Sequence, residues 1–370
     1  MIEAYKLNFK FEEPVRIAWK TFHHNTGDLL LVKHDNIIGY GEAAPDPFIT
    51  KDTQESVFQY LKDNAHLLPK EINLKTIQET HKKLPAGSPT AHAAIDFALH
   101  DLWGKQKKSK ISNLYSKKVN TPLNCITVFG KYPKETQSDV EKILNAYPHL
   151  KVIKIKLMGK DDIERCQLIK EKVDQMKREI SYVLDCNQAY KTSEEAIKTL
   201  NQLKDILQDI ILIEEPVPAK QWDLMKEVTD NVDVPIFADE SAVNLEDVKT
   251  IIKKQCVNGI NIKLQKTGGI WPAKVIAEEC QKHGLKVMVG CMFESAIGIA
   301  AGIHFAQSTK NVILTDLDYD LQMPDIYKYR PTFEDGIRNS TDNYGLGVEL
   351  DFTKIEKLKE SSKVIFEKII

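Results

Sequence analysis

The sequence predicts an α/β protein: a (β/α)8 barrel, in the form of a modified TIM barrel, with an α+β capping domain. Three observations predict it. From about residue 123 onward, eight short apolar runs of β character recur, most of them separated by amphipathic helical stretches. Such alternation makes successive βα units and a parallel sheet. Eight strands in roughly 200 residues fit a closed barrel better than an open doubly wound sheet. The GxGxxG turn that an open dinucleotide-binding sheet would carry after its first strand is missing. Before residue 120 the chain runs strands first and helices after, which is the α+β order. The expected division is therefore 1–120 as the cap and 121–320 as the barrel, with the tail 321–370 packing back on the cap.

In chain order, KLNFKF and DLLLVK read as strands, and GYGEAAP reads as a glycine-rich turn between strand and helix. The helix SPTAHAAIDFALHDLWGK has Ser88 and Pro89 suited to its start and Gly104 suited to its stop. The barrel strands are NCITVF, VIKIKL, ISYVLD, IILIEE, VPIFAD, NGINIKL, LKVMVG and NVILTDL. Between them, DDIERCQLIKEKVDQMKR and SEEAIKTLNQLKDIL carry the apolar spacing of surface helices. After about residue 320, DIYKYRPTFEDG and KLKESSKVIFEKII break the rhythm.

Composition excludes several function classes. Fifty-one Lys plus Arg against 53 Asp plus Glu leave a net charge of −2, which gives no electrostatic reason for a nucleic-acid or anionic-membrane partner. Mean hydropathy is −0.34, and no uncharged apolar run is long enough to span a bilayer. The first twenty residues are charged throughout, unlike a secretory signal. We expect a soluble, cytosolic protein, monomer or homo-oligomer. The six cysteines are scattered without a CxxC pair, and the ten histidines form no HExxH, so zinc and disulfide chemistry are not expected.

The informative feature is where charges interrupt apolar strands. Barrel enzymes carry their chemistry at the C-terminal ends of strands. Those ends read Lys154 and Lys156, Asp185 and Asn187, Glu214 and Glu215, Asp239 and Glu240, Lys263, Glu294, then Asp316 and Asp318. Lys156, Asp185, Glu214, Asp239 and Lys263 follow one another at intervals of 29, 29, 25 and 24 residues, one βα unit each. A lone acid at a strand end is ordinarily a helix cap. Three in succession, flanked by lysines, would be a coincidence as caps. Three converging carboxylates repel unless a cation sits among them. All-oxygen ligands favour Mg²⁺, with Mn²⁺ as the alternative, and three of them leave coordination positions for water and substrate. Lys156 and Lys263, four strands apart, oppose each other across the barrel mouth. Positive surroundings and desolvation are expected to lower their pKa values toward a basic role. A chelated carboxylate between two opposed lysines is arranged for 1,1-proton transfer: removal of the α-proton to an enediolate on one face and its return on the other.

The runs KIKL (154–157), LDCNQAY ending at Tyr190, IEEPVPA (213–219), ADES (238–241) and NIKLQKTGG (261–269) together resemble the enolase superfamily. They are most similar to its muconate-lactonising subgroup and the dipeptide epimerases within it. AAIDFALHDLWGK and VGCMFES match as well, so the resemblance covers nearly the whole chain. It implies Asp185, Glu214 and Asp239 as metal ligands, with Glu214 rather than Glu215 in the ligand place. It implies Lys156 and Lys263 as the acid/base pair, Lys154 over the substrate carboxylate, and Asn187 and Glu240 behind the metal. It further implies that Asp316 and Asp318 hold a substrate α-ammonium, and that Cys291 and the backbone near Met292 contact the peptide. Two carboxylates at that place would repel the acidic chain of a succinylbenzoate precursor. Ala-Glu epimerases of the family carry an arginine near residue 20, where this chain has Lys20 beside Trp19, Thr21 and Phe22. Lysine lacks the guanidinium fork, so we expect a small or hydrophobic C-terminal residue, as in a cell-wall-derived Ala-Ala dipeptide from peptidoglycan recycling. The alternatives are an L-Ala-D/L-Glu epimerase, a cycloisomerase and an o-succinylbenzoate synthase.

Overall fold

The computed structural model describes residues 2–17, 20–129, 132–360 and 364–369. The eight β runs form one parallel sheet that closes on itself. The sheet path starts at Leu123–Asn124 beside Val312–Asp316 and ends at Ile126–Val128 beside Val152–Lys156. These two pieces are one strand interrupted at Cys125, whose backbone N–H donates to Thr315 O at 2.9 Å. Seven strands are followed by a helix on the outside of the barrel. The eighth, Val312–Asp316, is followed by a single 3₁₀ turn, Tyr319–Gln322, in place of the eighth helix. The chain leaves the barrel there, and its last strand, Val364–Lys368, pairs antiparallel with the first, Ile2–Ile17.

Strand periodicity explains the interior. Alternate residues point inward, and the barrel floor is Cys125, Val152, Val183, Leu212, Phe237, Met288 and Leu314, one from each of seven strands. The remaining strand supplies Gly259, because the Phe237 ring fills the space its Cβ would occupy. Each apolar side chain buried there contributes roughly 1.5–3 kcal/mol.

The N-terminal cap is an antiparallel sheet of Ile2–Ile17, Lys20–His24, Asp28–His34 and Ile37–Ala43, completed by the C-terminal strand and packed on helix Pro89–Gln106. Two sequence expectations are corrected here. GYGEA is strand, not turn: Gly39 and Gly41 are needed because the helix backbone lies directly on the strand, and a Cβ on either would overlap the carbonyl oxygens of Ala98 and Ala94. Gly104 does not stop its helix, which continues to Gln106. It lets the backbone of Gly345 approach, a Cβ there standing 2.6 Å from the Gly345 Cα. Ser88 does cap the helix, accepting from Ala91 N. Gly41→Ala should therefore destabilise the protein by about 1–3 kcal/mol through overpacking; an unchanged denaturation midpoint would contradict the close packing.

Cap and barrel are joined by buried polar contacts. Glu42 accepts from Ser295 N (2.7 Å), Ser295 Oγ (2.8 Å) and Gly298 N (2.8 Å). Asp96 accepts from Ile270 N (2.6 Å) and Trp271 N (3.3 Å), satisfying the first turn of a barrel helix. No helix among the described residues is long and apolar enough to cross a membrane.

Candidate active site

Two residues beyond each floor side chain, the same inward periodicity gives Thr127, Lys154, Asp185, Glu214, Asp239, Asn261, Gly290 and Asp316. Two further on come Phe129, Lys156, Asn187, Lys263, Met292 and Asp318, all lining one cavity. Strand register levels these groups: Lys156 sits opposite Asp185, and Asp185 opposite Glu214. Likewise Lys263 sits opposite Gly290, and Gly290 opposite Asp316.

Asp185, Glu214 and Asp239 are fully buried and each brings a carboxylate oxygen within 4.8 Å of the others. On each acid one oxygen is anchored by the protein. Asn187 N donates to Asp185 Oδ1 (3.0 Å), Asn261 Nδ2 to Glu214 Oε2 (2.7 Å) and Lys266 Nζ to Asp239 Oδ1 (2.5 Å). The other oxygens meet only lysines. Asp185 Oδ2 accepts from Lys156 Nζ (2.5 Å) and Asp239 Oδ2 from Lys263 Nζ (2.7 Å). Glu214 Oε1 is without a hydrogen bond, although Lys154 Nζ lies 2.9 Å away. Three hard oxygens, each fixed through its partner oxygen and unclaimed by any neutral donor, fit a small divalent cation. Glu215 is turned elsewhere. It accepts from Asp239 N, Ser241 N and Ser241 Oγ, and so ties the end of one strand to the next.

Lys263 differs from expectation. Burial acts to lower the Lys263 pKa, but the Asp239 carboxylate outweighs it and holds the ammonium charged. Lys154 is fully buried, and its ammonium reaches Asp185 Oδ2 (2.9 Å), Glu214 Oε1 (2.9 Å) and Asp316 Oδ2 (2.6 Å). Burial acts to lower its pKa too, and these three carboxylates raise it well above the usual value. It therefore bridges the acid triad and Asp316 without bordering the cavity. Burial raises the acids in turn, but Lys154 and Lys156 hold Asp185 below its ordinary range, and Lys263 and Lys266 do so for Asp239. Glu214, with less compensation, is pushed up by burial.

Asp316 and Asp318 end the last strand side by side. Thr127 serves both, through Oγ1 to Asp316 Oδ1 (3.1 Å) and through its N–H to Asp318 Oδ2 (2.7 Å). Burial, and then the charge of Asp316, push Asp318 up to about 7. The cavity these residues share, about 80 Å³ in volume, also reaches Cys291, Met292 and Glu240. The cap roofs it with Ile17, Phe22, Asp46 and Ile49. Glu294 does not border it; it is buried and accepts from Met292 N. Lys20 does not border the cavity. Its ammonium lies over the rings of Phe22 (4.4 Å) and Phe48 (4.3 Å), a cation–π clamp. Trp19 lies outside the described residues.

Sequence reasoning missed Thr127, Asn261, Lys266 and Tyr319. Asn261 was within reach, since it precedes Lys263 by two and must share its face. Lys266 was not: it returns to Asp239 from a short helix, Leu264–Thr267, which no strand periodicity predicts.

Comparison with known proteins agrees with this fold. Residues 136–354 match the enolase C-terminal domain-like family, and residues 1–115 match the N-terminal domain of mandelate racemase / muconate lactonizing enzyme. A hydrophobic dipeptide epimerase of Enterococcus faecalis is 34% identical over 314 residues, 84% of this chain and 87% of the relative. An N-succinyl-L-Arg/Lys racemase of Bacillus cereus is 28% identical over 364 residues, 96% of each chain. The crystal structure of the dipeptide epimerase from E. faecalis V583, complexed with Mg and the dipeptide L-Leu-L-Tyr, matches with a TM-score of 0.85 at 30% identity. The match covers 94% of this chain and 99% of that one.

Proposed function

The chain belongs to the enolase superfamily, within the mandelate racemase and muconate lactonizing enzyme group, and from that premise we propose a Mg²⁺-dependent dipeptide epimerase. It inverts the α-carbon of the C-terminal residue. The observation that carries this reading is one cavity bordered by two lysines from opposed strands and by a pair of carboxylates. Asp185, Glu214 and Asp239 hold the metal. A Mg²⁺ held there would supply positive charge for the substrate carboxylate and for the charge that develops on deprotonation.

The remaining steps belong to side chains. Burial acts to lower the Lys263 pKa, the direction a base requires, and the Asp239 charge that opposes it is one a bound cation would share. Lys156 Nζ or Lys263 Nζ takes the α-proton from the face it borders. The opposite lysine gives a proton to the other face, and the configuration inverts. Lys154, fixed between the triad and Asp316, keeps these carboxylates in place and adds positive charge beside the substrate carboxylate. Asp316 and Asp318 receive the α-ammonium, the feature that favours a dipeptide over an N-succinyl amino acid or a dianionic cycloisomerase substrate. Cys291 and the Met292 backbone border the peptide.

The substrate side chain is small or hydrophobic. Ile17, Phe22, Ile49, Phe129, Met292 and Phe293 wall the cavity, and Lys20, engaged by two aromatic faces, is not free to meet a side-chain carboxylate as a forked arginine would. The E. faecalis relative named for hydrophobic dipeptides supports this reading. An Ala-Ala fragment of the cell wall is a fitting source. kcat/KM for Ala-Ala should exceed that for Ala-Glu by about tenfold or more; a hundredfold preference for Ala-Glu would reject the assignment.

A further inference from the structure

Among the described residues lining this cavity, Asn187, Glu240 and Tyr319 each have a buried oxygen without a partner; Asn187 and Glu240 bond each other through their remaining polar atoms, while the Tyr319 side chain makes no hydrogen bond at all. Tyr319 is 3% exposed and lines the cavity beside Asp318, and its hydroxyl makes no hydrogen bond. The ring cannot swing away to find one. It packs on Phe11 (5.7 Å between centroids, edge-on) and on Phe293 (4.6 Å, tilted), and Phe293 is held by Phe22 of the cap (4.6 Å, edge-on). A buried hydroxyl left unpaired is costly, and such groups ordinarily have a ligand or water to satisfy them. Burial, with Cys291 and Asp318 nearby, raises its pKa and keeps the phenol a donor.

The surroundings define the acceptor. An anionic group would be repelled by Asp316 and Asp318. An ammonium is itself a donor and is drawn to those carboxylates. What remains is a neutral oxygen. In a dipeptide whose α-carbon lies between Lys156 and Lys263 and whose ammonium lies at Asp318, the group spanning the two is the peptide bond.

We infer that the Tyr319 hydroxyl is a specificity determinant that donates a hydrogen bond to the peptide carbonyl oxygen of the substrate, so that the enzyme selects an amide-linked substrate over a free amino acid. The inference rests on the dipeptide reading above. Tyr319→Phe keeps the ring packing and removes only the donor. It should raise KM for the dipeptide about tenfold, equivalent to about 1.4 kcal/mol, with kcat changed less than about threefold and the pH profile of kcat/KM unmoved. A thioamide analogue, whose sulfur is a poor acceptor, should bind the wild type about tenfold more weakly than the amide, yet cost the Tyr319→Phe variant nothing further. A purely structural role predicts the same thioamide penalty in both proteins, and that result, or an unchanged KM, overturns the inference. If the wild type turns over no dipeptide at all, the proposed function falls and this inference with it. If the wild type is active and the variant indistinguishable from it, only this inference falls.

Discussion

Lys156→Ala should abolish epimerisation, a loss of about 10²–10⁴-fold or more, while sparing solvent exchange of the α-proton from one enantiomer of the C-terminal residue. Lys263→Ala should do the same for the opposite enantiomer. The asymmetry follows from the fold. The two lysines rise from strands Val152–Lys156 and Gly259–Lys263, four positions apart around the barrel, and border the same cavity. Each therefore addresses one face of a planar intermediate. A variant that keeps one lysine still removes and returns the proton on its own side. The check is the α-proton signal of each pure enantiomer in D₂O. Equal exchange from both enantiomers in either variant would overturn the two-base assignment, and full epimerisation in either would do so more simply.

The second large effect concerns the acid triad. Chelation should remove activity and Mg²⁺ restore it, because the charge gained on deprotonation has its main stabilisation in the cation. Asp239→Asn should lower activity by about 10²–10³-fold and weaken Mg²⁺ binding measured by calorimetry. Asp239 is the informative position: Lys266 anchors one of its oxygens and Lys263 takes the other. Substitution therefore weakens the metal site and removes the counter-charge of one base. Unchanged activity after chelation would contradict the whole site.

Much of this was legible in the sequence because barrel strands obey a local rule. A strand two-sidedly buried is apolar, so a Lys, Asp or Glu at its end stands out, and regular βα spacing places successive ends at one height. The register opposing Lys156, Asp185 and Glu214 is that rule in three dimensions. Contacts between distant elements follow no such rule. Gly39 and Gly41 read as a turn because glycine usually marks one. Their need arises from helix Pro89–Gln106, whose backbone packs against them. The pairing of Lys154 with Asp316 brings together residues 162 positions apart, and the anchoring of Glu42 by Ser295 spans 253. Neither has a local signature. After Asp316 the chain leaves the barrel through a 3₁₀ turn and its last strand completes the cap sheet; the βα rhythm broken after about residue 320 is the sequence signal of that departure.

The central claim is inversion by proton exchange at one carbon, and proton NMR of the wild-type enzyme with L-Ala-L-Ala in D₂O and Mg²⁺ tests it most directly. We predict that the α-proton of the C-terminal residue disappears while the L,D diastereomer grows in, deuterated at that carbon, with the N-terminal α-proton retained and the total dipeptide conserved. Consumption of the dipeptide without α-exchange, or exchange confined to the N-terminal residue, would contradict the account.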